Sequence, residues 1–207
     1  MADTHPILID LPDQLVGERV IVRPWAESDG MALWDAVDRS RDHLEPWMPW
    51  VDRYRNPDNA VEYTRRKGAQ WLLREDLAVA IVEKATGRIV GGSGFHRMNW
   101  AIRTFEIGYW VCQDRVGRGY ATETVQLLAR LAFDELAANR VELRIDPRNI
   151  RSLRVAERLG FVLEGTLRRA LPDSSGEPAD VHVLALMPEE YRSLPWSRSE
   201  GRGARGE

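Results

Sequence analysis

Reactive sulfur is almost missing from this chain, since Cys112 is the one cysteine among 207 residues. A single thiol makes neither an intramolecular disulfide nor a zinc site. The histidines His5, His43, His96 and His182 are too scattered for a cluster, so no metal is expected. No run reaches the roughly 18 apolar residues that a spanning helix needs. The first residues carry Asp3 and Asp10 but neither a basic region nor an apolar signal core, so the expectation is a cytoplasmic protein with no membrane contact. Basic charge is not in excess either. With 29 basic residues against 32 acidic ones, the net charge of -3 gives no global pull toward nucleic acid or anionic membrane, and small partners are favoured. What is present is 43% apolar and 29% charged content, over a length that buries one core without cross-links.

The pattern along the chain changes character twice. Arg19-Val-Ile-Val-Arg23 alternates as a strand, and Pro24 ends it. Ser28 and Asp29 precede Met31, Leu33, Trp34 and Val37 at helical spacing. The proline-broken stretch from His43 to Val51, with Trp47 and Trp50, reads as a loop, and Asn56-Pro57-Asp58 starts a second helix that runs to about Glu75. Strands are then expected at 77–82, 88–95 and 104–111, an antiparallel meander. A long helix is expected from Ala121 to about Asn139, followed by a strand at 141–145. A further helix after Asn149 is stopped by Gly160, and strands follow at 161–163 and 180–186. This order implies an α/β (α+β) fold, with a mixed sheet covered by helices.

The sharpest local signal is Asp114-Arg-Val-Gly117-Arg-Gly119-Tyr-Ala121-Thr-Glu123, a glycine-rich turn between an apolar strand and an amphipathic helix. Such a turn brings several N–H groups to one side and adds the unpaired donors of a helix start, which suits a pyrophosphate. Arg115 and Arg118 add positive charge. No Gly-Lys-Ser/Thr follows, which excludes a Walker loop, and Thr122 at the third glycine position makes a poor Rossmann turn. On local grounds the segment is either an anion cradle or simply a tight turn.

Taken together, several segments resemble the GNAT acetyltransferases. They are Gly117-Arg-Gly119-Tyr-Ala121-Thr-Glu123, the preceding Phe105-Glu-Ile-Gly-Tyr-Trp-Val111, and the later stretch from Asn149 to Gly165. The opening Leu15-Val-Gly-Glu-Arg-Val-Ile-Val-Arg-Pro24 and the closing Asp180-Val-His-Val-Leu-Ala-Leu186 are similar to the RimJ/RimL-type branch, which acetylates protein N-terminal amines. The resemblance implies a mostly antiparallel sheet of about seven strands flanked by about four helices. It places an acetyltransferase domain at 15–192, an N-terminal extension at 1–14 and a flexible tail at 193–207, and it leaves room for a homodimer. It also implies acetyl-CoA as co-substrate. The pyrophosphate would rest on Arg115, Val116, Gly117, Arg118, Gly119, Tyr120, Ala121 and Thr122. The pantetheine arm would pair with Tyr109, Trp110 and Val111, with the Val111 amide near the thioester oxygen, and Asn149 would belong to the same site.

The same resemblance assigns chemistry. Many GNAT enzymes place a tyrosine acid seven residues after the asparagine, where this chain has Ala156. In the RimJ/RimL branch a serine three residues after it is a candidate acid, and Ser152 matches. Glu106 is the first candidate base, with His96 or water as substitutes. The glutamate proposed as base in related enzymes corresponds to Leu171 here. Trp47 and Trp50 are expected to wall an acceptor cleft, because the family recognises acceptors between its first two helices. An α-amino group titrates near about 8 and a lysine near about 10.4, so the former needs less help to become a neutral nucleophile. The expected activity is N-acetylation of a protein N-terminus by direct attack. Alternatives are a small-molecule amine acceptor (a polyamine, aminoglycoside or amino-acid conjugate), or a non-catalytic acyl-CoA-binding module.

Overall fold

The computed structural model describes residues 5–197. Its sheet has eight strands: β1 (Leu15–Val16), β2 (Val20–Pro24), β3 (Leu77–Glu83), β4 (Ile89–Asn99), β5 (Thr104–Val111), β6 (Arg140–Ile145), β7 (Val162–Pro172) and β8 (Pro178–Leu186). They lie in the order β1-β2-β3-β4-β5-β6-β8-β7, antiparallel throughout except that β5 and β6 run parallel. The helices are α1 (Gly30–Asp38), α2 (Arg41–Leu44), α3 (Pro57–Leu73), α4 (Tyr120–Arg130), α5 (Ile150–Arg158) and α6 (Pro188–Ser193). The additions to the expected count are the two-residue β1 and the short α2 and α6.

The alternation of β3 explains the layers. Leu77, Val79 and Ile81 face one core, with Val125 and Leu128 of α4, Ala156 of α5 and Leu159 just after it. Ala78, Ala80 and Val82 face a second core, with Leu33 and Val37 of α1 and Ala60 of α3. A strand covered on both sides is apolar without interruption. α3 starts where Asn56 accepts a hydrogen bond from the Asn59 N–H at 3.2 Å, with Pro57 in the first turn.

Four expectations change. The unbroken helix from Ala121 toward Asn139 ends at Arg130 and passes into a π-helical turn, Leu131–Glu135, closed by the Leu136 N–H on the Leu131 carbonyl at 3.0 Å. The loop around Trp47 contains α2 and a 3-10 turn at Pro49–Arg53. The strand expected at 161–163 runs on to Pro172, because β7 pairs with β8 out to Pro172↔Pro178. Bulges interrupt its register with β8 along the way. Within the segment expected as a tail, Ser193 closes α6, and Trp196 packs edge-on against Tyr191 with its carbonyl accepting from Arg130 at 3.0 Å. The rest of that tail lies outside the described residues.

Candidate functional site

β5 organises the site. Thr104, Phe105 and Glu106 pair with Arg140, Val141 and Glu142 of β6, and the pairing stops there. On its other side β5 stays bonded to β4 as far as the Cys112 N–H, which donates to the Val90 carbonyl at 2.8 Å. Strand alternation therefore turns the main-chain groups of Ile107, Tyr109 and Val111 toward the gap where β5 and β6 part. An extended ligand can pair with that edge.

At the end of this edge stands the glycine turn. Gly117 and Gly119 have φ of 78° and 82°, a region that suits glycine. A Cβ on Gly117 would meet nothing within 4 Å, and one on Gly119 would meet only Arg19 Nη1 at 3.6 Å. Among the described residues, no hydrogen bond engages the N–H groups from Val116 to Thr122. They surround the N-terminus of α4, where the helix dipole favours negative charge. Glu83, buried beneath the turn, fixes both its ends. Its Oε1 accepts from the Tyr120 hydroxyl at 2.6 Å and lies 3.2 Å from Arg115 Nε, while Oε2 accepts from Thr86 at 2.6 Å. Hydrogen bonds from Thr86 and Tyr120 hold the Glu83 carboxyl below its ordinary range against the effect of burial. Arg115 is thus turned inward, and the Tyr120 side chain is structural. Exposed Arg118 and the guanidinium of Arg19 remain beside the turn, and Arg158 reaches Thr122 Oγ1 at 3.3 Å.

The two faces of β5 carry different groups. On the α4/α5 side, the Tyr109 hydroxyl approaches the Ser152 carbonyl at 3.5 Å, and burial pushes its phenol up to about 12 against a smaller opposite pull from Ser152. Asn149 caps α5, its Oδ1 accepting from the Ser152 N–H at 3.1 Å, which fixes Ser152 in the first turn. On the α1/α3 side lie Trp110, Gly108 and Glu106 in succession. The Trp110 ring is 5.8 Å from that of Trp50, which lies 5.5 Å from Tyr54. Trp50 therefore completes the second core while bordering the site, whereas Trp47 is half-buried and does not pack on that core. Glu106 Oε2 accepts from Arg97 at 2.6 Å and lies 3.2 Å from Arg144 Nε, whereas Oε1 has no hydrogen bond among the described residues. Arg144 continues to Glu142, and Arg140 joins Glu142 to Glu164 on β7. Cys112 is buried and its thiol is pushed up by burial, so it stays protonated.

A strand that leaves its neighbour beside a glycine turn with unpaired N–H groups is an arrangement that suits an acyl-CoA ligand, and residues 19–162 match the acetyltransferase (GNAT) domain family. The chain belongs to the GNAT acetyltransferases. It is 33% identical over 112 residues to the N-acetyltransferase p20 of Bacillus licheniformis, an alignment covering 54% of this chain and 62% of that protein. YjcK of Bacillus subtilis is 31% identical over 179 residues, covering 84% of this chain and 96% of the relative. The ribosomal-protein-serine acetyltransferase of Escherichia coli K12 is 26% identical over 157 residues, 75% of this chain and 86% of that one. RimJ of Mycobacterium smegmatis, solved with CoA-disulfide, superposes with a TM-score of 0.77 at 26% identity, covering 86% of each chain. The likeness extends to the RimJ/RimL-type branch.

As a GNAT acetyltransferase the protein is an enzyme that uses acetyl-CoA, and its residues fit that co-substrate. The free N–H groups suit a diphosphate, and the open β5 edge suits the amides of the pantetheine arm. Among the described residues no group of three or more His, Cys, Asp or Glu is placed to hold a metal ion, and no helix is long and apolar enough to cross a membrane. Sequence reasoning missed Arg19, Glu83, Arg158 and the Tyr109 hydroxyl. Each acts across a separation of tens of residues and leaves no local pattern.

Proposed function

We propose that this acetyltransferase modifies the α-amino group of a protein or peptide, by direct attack and without a covalent acyl-enzyme, and that 15–192 works as one catalytic domain. The observation that carries the acceptor assignment is the face on which Glu106 lies. Its floor is the ion-pair lattice from Arg97 to Glu164, and it is open along β7, whose residues are exposed almost throughout. An open, charge-floored face admits a polypeptide end with its flanking residues. The relatives named for ribosomal-protein acetylation support the same acceptor class.

The residue roles follow from the two faces. Main-chain donors from Val116 to Thr122 hold the diphosphate, assisted by Arg118 and Arg19, and Glu83 keeps the turn in shape through Arg115 and Tyr120. The β5 edge at Tyr109, Trp110 and Val111 aligns the pantetheine arm, with the Val111 amide directed at the carbonyl oxygen. Bound acetyl-CoA supplies an activated acyl group with a thiolate as leaving group. Ser152, held in place by Asn149, gives that sulfur a proton, with the Tyr109 phenol beside it as a second donor. Glu106 Oε2 is already engaged by two guanidinium groups, so the role assigned to Glu106 is to orient the incoming amine at Oε1. Trp47 and Trp50 border the acceptor.

Acetyl-CoA with a mixed library of peptides and small amines, read by mass spectrometry and by release of CoA thiol, tests this. Acetylation is expected at free peptide N-termini and not at lysines of N-terminally blocked peptides. Thiol release with small amines alone overturns the acceptor assignment. Binding of acetyl-CoA without any acceptor-dependent release overturns catalysis.

A further inference from the structure

His96 occupies a position on the acceptor face that the roles above leave unused. Pairing sets it directly across from Glu106, yet its ring leans toward Gly108: a Cβ there would lie 3.0 Å from His96 Cδ2 and 3.3 Å from Nε2. Glycine at 108 therefore lets an imidazole lie across β5 just beyond the last pairing with β6, where the strand edge becomes free. The other ring nitrogen, Nδ1, faces Asp76 Oδ2 at 3.7 Å. That oxygen also accepts from Lys67 Nζ at 2.7 Å, and Lys67 donates to Gln70 at 3.0 Å, so α3 holds the carboxylate in place. Asp76 Oδ1 is buried without a hydrogen-bond partner. Burial pushes the Asp76 carboxyl up, but the neighbouring His96 and Lys67 outweigh it and keep it below the usual range.

We propose that His96, oriented by Asp76, is the general base that takes the proton from the acceptor nitrogen, an inference that rests on the acetyl-transfer reading of this face. With Nδ1–H directed at Asp76, the lone pair of Nε2 is free, and among the described residues Nε2 has no hydrogen-bond partner. Asp76 with Lys67 of α3 stands on the Nδ1 side of the ring, and Glu106 of β5, whose Oε2 is held by Arg97 of β4 and Arg144 of β6, is its cross-strand partner. Glu106 lacks that freedom, because its Oε2 is shared by Arg97 and Arg144. In the transfer, the neutral amine's electron pair forms the C–N bond and the C–S bond breaks. Nε2 takes the nitrogen's proton, and the departing sulfur receives one from the Ser152 side. Water then returns a proton to the serine and accepts the one on the imidazole. Asp76 is a positioning residue.

The test is the pH dependence of kcat/KM, expressed per neutral amine, across the titration range of imidazole, run with a peptide acceptor and in parallel with a small primary amine. His96→Gln should lower kcat/KM by about 10²- to 10³-fold and abolish the acid limb, while calorimetric affinity for acetyl-CoA stays within about twofold of wild type and shows that the variant is folded. Asp76→Asn should cost about tenfold and move the acid limb to lower pH, since imidazolium loses its carboxylate. A merely structural aspartate would lower the melting temperature and leave the limb in place. A His96→Gln enzyme that keeps the limb and a rate within about threefold overturns the proposal. If the wild type turns over only the small amine, the peptide assignment falls and the limb measured with that amine decides the role of His96. If no amine is acetylated, both fall.

Discussion

The two faces of β5 are built by different means, and the contrast explains how the enzyme divides its labour. Toward α4 and α5, the proposed recognition uses the main chain: a run of unpaired N–H groups around Gly117 and Gly119, and a strand edge freed after Glu106. Toward α1 and α3 it uses side chains brought in from separate elements, with Trp50 from a 3-10 turn, Asp76 from the stretch before β3, His96 from β4 and Arg144 from β6. A backbone cradle accepts any ligand with the same diphosphate, which suits a common co-substrate. A side-chain face changes with each substitution, which suits an acceptor that differs between relatives.

The sharpest way to break the contrast is Gly119→Val. A β-branched residue at φ of 82° is strained, and its side chain would project into the space that the free N–H groups surround. Losing two charge-assisted hydrogen bonds at about 1.5 kcal/mol each predicts acetyl-CoA binding weaker by about a hundredfold or more. Calorimetry on a variant shown to be folded by its melting curve checks this, and normal binding would deny the cradle.

That contrast also decides what the sequence discloses. Gly117, Gly119 and the helix after them are contiguous, and every function of that segment follows from conformation, so it is legible in order of residues. The meander from Leu77 to Val111 is legible for the same reason, since alternation and continuous apolar runs record burial directly. Glu106 is correctly placed on the strand bordering the site, but its partners Arg97 and Arg144 lie on two other strands, and nothing near Glu106 in the chain announces them. Asp76 and Lys67 likewise become neighbours of His96 only when α3 packs on the sheet. The length of β7 is hidden because its residues are exposed on both sides and leave no apolar period.

A second prediction probes where the two faces meet. Ser152→Ala should reduce turnover by about tenfold to a hundredfold with little change in acetyl-CoA affinity, the smaller end applying because a thiolate leaves readily without protonation. Adding Tyr109→Phe should lower the rate further, because the Tyr109 hydroxyl lies against the Ser152 main chain. A turnover equal to wild type in the double variant, measured by thiol release under saturating substrates, would remove both from the proton path.

Glu83→Gln has a more modest expected effect and sharpens the main-chain side. The carboxylate joins Arg115 and Tyr120 at opposite ends of the turn, so its loss should weaken acetyl-CoA binding severalfold, without altering kcat at saturation, and lower stability by about 2 kcal/mol. The pH dependence has a definite sign. A carboxyl held below its ordinary value of 4.5 contributes stability above that pH and loses it as the pH falls through the folded value. As the pH falls below about 4.5, the melting temperature of the variant should therefore fall less than that of wild type.

The smallest effect belongs to Cys112→Ala. The thiol follows β5 closely enough in the chain to be taken for a nucleophile, but the period of the strand turns it into the second core, where Sγ lies 3.8 Å from the Ala36 carbonyl. Burial keeps it protonated and out of reach of the β5 edge on which the co-substrate would lie. Removing it should cost about 1 kcal/mol through a small cavity and leave kcat within about twofold. Alkylating agents should modify native protein slowly and urea-unfolded protein fast. Rapid inactivation of the native enzyme by a thiol reagent would place the sulfur at the site and return a covalent acyl-enzyme to consideration.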